Sequence, residues 1–575
     1  MTQGFAPPSL DRLARSPWAY AIIAFAVLAC ALPGVFSLPV LDRDEARFAQ
    51  ATKQMLETGD FVTISVQDEP RNKKPIGIHW LQGATAGLTT HDEIWGFRLA
   101  SSFGALLSAF AIMWGGSALL GRSAAFAGAL AFGSMILAST EAMIAKTDAM
   151  LCGLTALAMA ALARLYLGQG GRREALIFWG AVGAGVLVKG PITPLVAALA
   201  LAVLAVWERK ASWMLPLRRW TGPALAALIV APWMIAIGIE TQGRFFTEAL
   251  GGDLGPKVAG GHEGHFGWPG AHALLTPILT FPATFLLIPA VALGVGALRA
   301  GRDSPEHAPL RFLLAWALPT WAMFELLPTK LPHYTLPAYP AFALLMGLAL
   351  TQIGAWGAWT RRGGTALFLL GGASLTGLAA YLSTFAPGLE AEDQLRAAQV
   401  GAAGGVALVA AALALWGARQ AITALMVLVL SGAVAAYALR ERLLPAATEL
   451  LVSAETAHAL EREALTPAPG GALLVVGYRE TSIVFETRTD TRLVSVEEAG
   501  AEAQAGDVAV VNQALGQESG LPEALRRRGL AFEPAGAPVV GLNYSNGDPV
   551  VLQPGLIQTS PLSASQAAQE ADDRS

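Results

Sequence analysis

Cysteine is nearly absent. The two that occur, Cys30 and Cys152, both fall in apolar runs, where they read as small buried hydrophobes, so no disulfide or metal framework follows from them. Charge is scarce too. Only 14% of the 575 residues are Asp, Glu, Lys or Arg, and the net charge is -4, which leaves no basic footprint for nucleic acid. There is no internal repeat and no Gly-rich phosphate-binding motif, although 61 residues are glycine. Lysine is the rarer base by far, with 8 among 39 basic residues. Either codon bias leaves those lysines at chance positions, or the chain keeps lysine where a compact, mobile point charge is needed.

What the chain has in abundance is apolar sequence, 54% of it, with a positive mean hydropathy. That composition belongs to integral membrane proteins. A spanning helix takes ~20 mostly apolar residues. Thirteen such spans are expected, at about 17–40, 97–120, 123–140, 149–168, 175–189, 191–207, 221–239, 271–298, 310–326, 335–355, 365–386, 396–417 and 420–439. The first reads as an uncleaved anchor rather than a signal peptide, since no small-residue cleavage site precedes the polar loop after it. With the N-terminus inside, Arg122, Arg172-Arg173, Arg209-Lys210 with Arg218-Arg219, Arg299 with Arg302, Arg361-Arg362 and Arg419 all fall on the inner face, as the positive-inside rule requires. This parity needs the 175–207 stretch to be split at Lys189-Gly190-Pro191.

Seven of the eight lysines then lie on the outer face, against the trend. The same face receives the loop 41–96, the segment Glu141 to Asp148, the 240–270 loop and the segment Pro328 to Tyr334. Beyond residue 445 the character changes. Gly471–Gly477 and Asp507–Asn512 read as buried strands and Leu521–Arg528 as helical, so a small outer α/β domain is expected over 446–560. A disordered tail is expected over 561–575. The fold class expected is a mostly α polytopic membrane protein, residues 1–445, carrying that domain.

Several outer-face motifs can carry chemistry. Asp44 and Glu45 stand where the chain leaves the membrane, suited to a general base or simply to the first turn of a helix. Asp148 lies between apolar runs, where an ionisable group is costly and points to function; a helix cap is the alternative. Lys73-Lys74-Pro75 and Lys330-Leu331-Pro332-His333-Tyr334 offer cations for a phosphate headgroup, or are snorkelling helix ends. Lys189-Gly190-Pro191 is either part of this set or a tight turn. In the 240–270 loop, His262, Glu263 and His265 offer ligands for a divalent metal ion, with Glu69 or His79 as helpers. A Gly-rich lid is the other reading of that loop.

The run Asp42-Arg43-Asp44-Glu45-Ala46-Arg47-Phe48-Ala49, followed by Met55, Gly59-Asp60-Phe61-Val62 and Lys74-Pro75 with Trp80, resembles the bacterial protein-mannosyltransferase-like membrane glycosyltransferases, which include the aminoarabinose transferases. Thr147-Asp148, Lys189-Gly190-Pro191, Gly252-Asp253, Pro256-Lys257-Val258, Gly261, Lys330-Leu331, Tyr334, Pro337 and Pro340 continue the match, which covers about 35–345. The resemblance implies a GT-C fold, a polyprenyl-phosphate-linked sugar donor, inverting transfer on the periplasmic side of a bacterial inner membrane, and membrane lipids as surroundings. It implies Asp44 as general base, Glu45 as its neighbour and Asp148 as a second carboxylate. Lys74 and Lys330 would hold the donor phosphate, with Lys189, His333, Tyr334 and Arg47 as further donor contacts. This chain has Lys74-Pro75-Ile76 where the group usually has Lys-Pro-Pro. The acceptor stays open among lipid A, another glycan and protein. A flippase of a lipid-linked sugar is the alternative from another class; it would place its polar groups near the midplane, whereas these gather at one interface.

Overall fold

The computed structural model describes residues 8–209, 211–255, 267–300, 304–387, 390–516 and 520–560. Each of the thirteen expected spans coincides with a helix or with a helix broken in place. Among the described residues, eight helices are long and apolar enough to cross a membrane alone, and nine if a bent pair near the N-terminus counts as one span. The others are shorter or less apolar. The expected division of 175–207 is present as helices Arg172–Lys189 and Ile192–Glu208, with Gly190 between them at a positive φ of 64°. The span at 271–298 is broken into Ala271–Leu279, Ala283–Leu286 and Leu287–Ala300. The helix Pro8–Arg15 is amphipathic and meets Ala19–Ala31 at 99°, the geometry of a segment lying along the membrane surface.

Helices Trp95–Leu120, Asp148–Tyr166 and Pro332–Thr351 are largely buried, while Ala358–Phe385 and Glu392–Gly417 expose most of their apolar surface. Helices carrying the outer-face motifs therefore form the centre, and lipid-facing helices surround them. Small residues allow the central helices to approach closely. A Cβ on Gly104 would lie 2.4 Å from the Met150 nitrogen, and one on Gly115 2.6 Å from the Ala160 Cβ.

The loop after the first span is ordered. Its first element is the helix Asp44–Thr58, and a short hairpin of β1 (Ser65–Val66) and β2 (Glu69–Pro70) leads to the helix Gly77–Leu88. Residues 452–559 build the expected α/β unit. Strands β3 (Leu473–Val476), β4 (Arg492–Val494), β5 (Val508–Asn512), β6 (Leu530–Pro534), β7 (Val539–Asn543) and β8 (Asp548–Thr559) form one sheet in the order β4-β3-β5-β8-β6, with β7 also on β8. The pairs β3–β4 and β3–β5 are parallel, and β8 runs antiparallel to β5, β6 and β7. The two strands expected from sequence are β3 and β5, whose unbroken apolar runs suit burial on both faces. Val475, Val508 and Val510 pack on one side with Leu460 and Ile483, and Leu474, Val476 and Val511 on the other with Ala499 and Leu525. The expected tail, 561–575, lies outside the described residues.

Candidate active site

The ends of the central helices that carry Asp148, Lys189 and His333 converge on a buried network of charge. Asp148 opens its helix, and its Oδ1 accepts a 2.5 Å bond from Lys189 Nζ, the last residue of Arg172–Lys189. Its Oδ2 lies 3.7 Å from His333 Nε2. On the other side of the ring, Lys146 Nζ is 3.3 Å from His333 Nδ1 and 3.0 Å from Glu141. Lysine has donors only, so Nδ1 accepts and the ring hydrogen sits on Nε2, facing Asp148. Asp148, Lys146 and Glu141 are all buried, and buried charges persist only when paired. The alternation Glu141–Lys146–His333–Asp148–Lys189 meets that condition.

Next to this network is a cavity of about 260 Å³, bordered by Lys73, Lys74, Asp148, Lys189, Tyr334 and Thr329 on its polar side and by Met234, Phe245, Phe246, Leu250, Phe324 and Leu327 on its apolar side. Three lysines and one aspartate stand among its lining residues. Lys189 Nζ also stands 5.6 Å from the centre of the Tyr334 ring. An anionic headgroup and an attached hydrocarbon chain are the ligand chemistry these two walls complement.

Asp44 and Glu45 separate. Arg43 precedes them at φ 60°, outside the ordinary range for a residue with a side chain, the kind of backbone outlier that functional sites hold. Glu45 is buried and taken up entirely: Arg98 donates to both its oxygens at 2.9 and 2.8 Å, and the backbone nitrogens of Leu41 and Ala145 donate at 2.9 and 2.7 Å. Arg98 also bonds the carbonyls of Gly34, Val35, Leu38 and Pro39. Glu45 is thus a positioning residue that ties the loop to the helix Trp95–Leu120 and to the turn before Asp148. Asp44 is exposed in the first turn of its helix. It is near enough to Lys146 and His333 for its charge to act on both.

Two other expected donor contacts lie apart from the cavity. Lys330 turns its ammonium back onto the carbonyls of Phe324, Glu325 and Leu327. There it caps the C-terminal end of the helix Ala308–Leu326, a favourable place for a cation. Arg47 lines a second, solvent-open cavity of about 1350 Å³ between the outer loop and the sheet domain, along with Arg71 and Arg488. His262, Glu263 and His265 lie outside the described residues, as does Lys257. Among the described residues no group of three His, Cys, Asp or Glu side chains is placed to hold a metal ion. His79 is buried against the Thr52 hydroxyl, 2.8 Å away, and burial pushes its pKa down to about 3. Glu141 and Lys146 escaped selection in the sequence. The cost argument applied to Asp148 covers them equally, since both lie between the same two apolar runs.

The sheet domain closes over the loop that carries the acidic pair. Val40 N donates to Glu486 Oε1 at 2.8 Å and Asp42 N to the Tyr544 hydroxyl at 2.7 Å. Ser482 donates to the Asp42 carboxylate. Gln50 donates to Thr489, and the Lys53 ammonium stands 5.0 Å from the centre of the Phe485 ring.

A polytopic bundle with an ordered loop after its first span, a charged network at the helix ends beside that loop and an appended sheet domain defines a membrane protein of the GT-C fold. A family model described as dolichyl-phosphate-mannose-protein mannosyltransferase matches residues 19–244. An undecaprenyl phosphate-alpha-4-amino-4-deoxy-L-arabinose arabinosyl transferase of Pseudomonas aeruginosa is 28% identical over 59% of this chain. The matched region spans 60% of that relative's length. A namesake in Pectobacterium carotovorum is 28% identical over 53% of the chain and 54% of its own length. The crystal structure of ArnT from Cupriavidus metallidurans bound to undecaprenyl phosphate superposes with a TM-score of 0.72 at 18% identity, covering 94% of this chain and 98% of that one. At that identity the likeness speaks for the fold. The resemblance to the protein-mannosyltransferase-like and aminoarabinose-transferase-like group read from the motifs is borne out.

Proposed function

We propose that the protein is a glycosyltransferase that moves a sugar from a polyprenyl-phosphate donor to an acceptor at the outer, periplasmic face of a bacterial inner membrane. The observation that carries the reading is the cavity beside Asp148 and Lys189, with lysines on one wall and aromatic and aliphatic residues on the other. It is complementary to a lipid phosphate, and the relatives named above are transferases of undecaprenyl-phosphate sugars. Lys73, Lys74 and Lys189 neutralise the donor phosphate, and Phe245, Phe246 and Leu250 receive the first part of its hydrocarbon chain. Asp148 keeps Lys189 in place and faces the His333 ring, whose Nε2 is 3.7 Å from its Oδ2.

In the reaction the acceptor oxygen bonds to the anomeric carbon from the face opposite the phosphate, inverting the centre. The carbon–oxygen bond to phosphate breaks, and its electron pair leaves with the polyprenyl phosphate. Asp44 receives the acceptor proton. It suits that role better than Glu45 because its carboxylate is solvent-accessible, whereas Glu45 is spent on Arg98. The charge that develops on the leaving phosphate is met by fixed ammonium groups in a water-poor site, where such stabilisation is strong. The acceptor is a lipid, a glycan or a protein.

The test is transfer of radiolabelled sugar from a polyprenyl-phosphate donor by the purified full chain, with native lipid extract as acceptor source. Wild type moves label, while Asp44→Asn loses about 10²–10⁴ in rate, the range for a general base, with donor binding retained. If wild type binds donor and moves no label to any of a lipid, glycan or protein acceptor, the reading fails. Undiminished transfer by Asp44→Asn removes the base assignment.

A further inference from the structure

The sheet domain has a crevice of its own. In chain order β3 is followed by β4 on one side and then by β5 on the other, so the β3–β4 connection runs one way and the β4–β5 connection crosses back the other way. In parallel α/β sheets the gap at the carboxyl ends of such strands is the recurrent place for a ligand. Here it is a cavity of about 610 Å³, bordered by the segment 477–480 after β3, by 495–497 after β4 and by Asn512 at the end of β5. The turn after β7 closes it with Asn546 and Asp548. The size falls within the usual range for small-molecule sites.

Its floor and rim say what would fit. Tyr478, Glu480 and Asn512 are buried at its base, and Glu497, Asn546 and Asp548 stand exposed at its edge. Arg479 is its one cation among three acidic side chains, which argues against phosphate and nucleotide ligands. Glu480 is only 7% exposed, and among the described residues one side chain, Asn543, donates to its carboxylate, at 3.0 Å. A carboxylate offers about four acceptor positions, so this one calls for further donors. Asn512 serves as scaffold, donating to the Gly477 carbonyl and accepting from Ala514 N and Val551 N.

We propose that this crevice is a second ligand site, separate from the membrane-boundary cavity, that binds a neutral or amino-bearing saccharide through donation of its hydroxyl or amino hydrogens to Glu480 and to the exposed Asn546–Asp548 edge. A saccharide supplies several hydroxyl donors in a compact, uncharged body, which this acceptor-rich pocket lacks. Its floor also adjoins the outer loop: two residues on from Glu480, Ser482 bonds Asp42, two residues before Asp44. Occupancy is therefore felt at the loop that carries the acidic pair.

The test is calorimetric titration of the full chain in detergent with cellotriose, a chitosan trimer and inorganic phosphate as probes. One of the two trimers saturates the wild type, and phosphate does not compete. Glu480→Gln and Asn546→Ala each weaken that binding at least tenfold while the thermal midpoint stays put. Should Glu480→Gln not fold, Asn546→Ala, on an exposed turn, decides alone. No binding of either trimer, competition by phosphate, or unchanged affinity in the folded variants overturns the proposal. The readout is binding to the sheet domain, so its result is independent of whether the chain transfers sugar.

Discussion

Asp44 and Glu45 are adjacent, both acidic and both in the first turn of one helix, yet their environments differ completely. Successive helical residues point about 100° apart, and that rotation sends Glu45 into the bundle against Arg98 while Asp44 faces out. Their substitutions should therefore differ in kind. Glu45→Gln leaves the guanidinium of Arg98 buried without its countercharge, and breaking a buried pair in this way costs about 3–5 kcal/mol. Asp44→Asn removes the interaction of an exposed charge with a helix N-terminus, about 0.3–1 kcal/mol, together with its action at a distance on Lys146 and His333. Thermal unfolding in detergent should show a large fall for Glu45→Gln and a small one for Asp44→Asn. Equal falls would mean the two carboxylates are not divided between structure and solvent. The sequence places an acidic pair at the membrane boundary, but which member turns inward depends on an arginine 53 residues away, a partner no local pattern names. Lys330 is a second case of this kind. A lysine four residues beyond the helix Ala308–Leu326 reads as a phosphate ligand or as a cap, and only the fold shows its ammonium on the helix carbonyls.

The elements themselves were far more legible, because apolar run length and arginine placement are local signals that the membrane enforces. The break at Lys189-Gly190-Pro191 follows from charge parity, and it sets Lys189 at a helix end where it reaches Asp148. What composition does not reveal is how closely these helices approach. Helices Trp95–Leu120 and Asp148–Tyr166 touch at Gly104, where a Cβ would meet Met150 N at 2.4 Å and the Ala149 carbonyl carbon at 2.5 Å. Both atoms are backbone, so the helix bearing Asp148 must shift. Gly104→Ala should destabilise by about 1–3 kcal/mol, the usual range for overpacking, and weaken donor binding by moving Asp148 away from Lys189. Gly405 is the control. It lies inside a helix with nothing within 4 Å of a Cβ, so Gly405→Ala should be neutral or stabilise by about 0.5–1 kcal/mol. Unfolding midpoints and donor titrations of the two variants check this, and like behaviour of the pair would remove the packing argument. Strands β6, β7 and β8 were less legible than β3 and β5. They are antiparallel, partly exposed and interrupted by Pro534, Pro549 and Pro554, so they lack the unbroken apolar runs that announce a buried parallel strand.

At the scale of the whole molecule, the sheet domain is a cover whose hold on the outer loop contains a titrating group. Asp42 is enclosed when Ser482 and Tyr544 close on its segment. Burial pushes its pKa up to about 7; the Ser482 bond opposes the rise, neighbouring Glu480 adds to it, and Arg43 offsets part of it. Released from the domain, the carboxyl returns towards its ordinary value near 4. A carboxyl with a raised pKa in the closed state holds more proton there than in the open state at intermediate pH. Its contribution is therefore full below about pH 4 and is lost as pH rises through about 7. The loss amounts to at most ~4 kcal/mol, since each pKa unit is worth about 1.4 kcal/mol. Domain contact with the loop should then loosen between about pH 4 and about pH 7. Hydrogen exchange at 40–46 and 478–486, corrected for the intrinsic effect of pH, should speed up across that window in the wild type. In Asp42→Asn, which has no proton to lose, the corrected rates should stay level. A variant that loosens as steeply as the wild type would place the titrating group elsewhere. Because Asp42 precedes Asp44 by two residues, the same release alters the setting of the acidic pair, so transfer by the wild type should bend with pH in this range and transfer by Asp42→Asn should not.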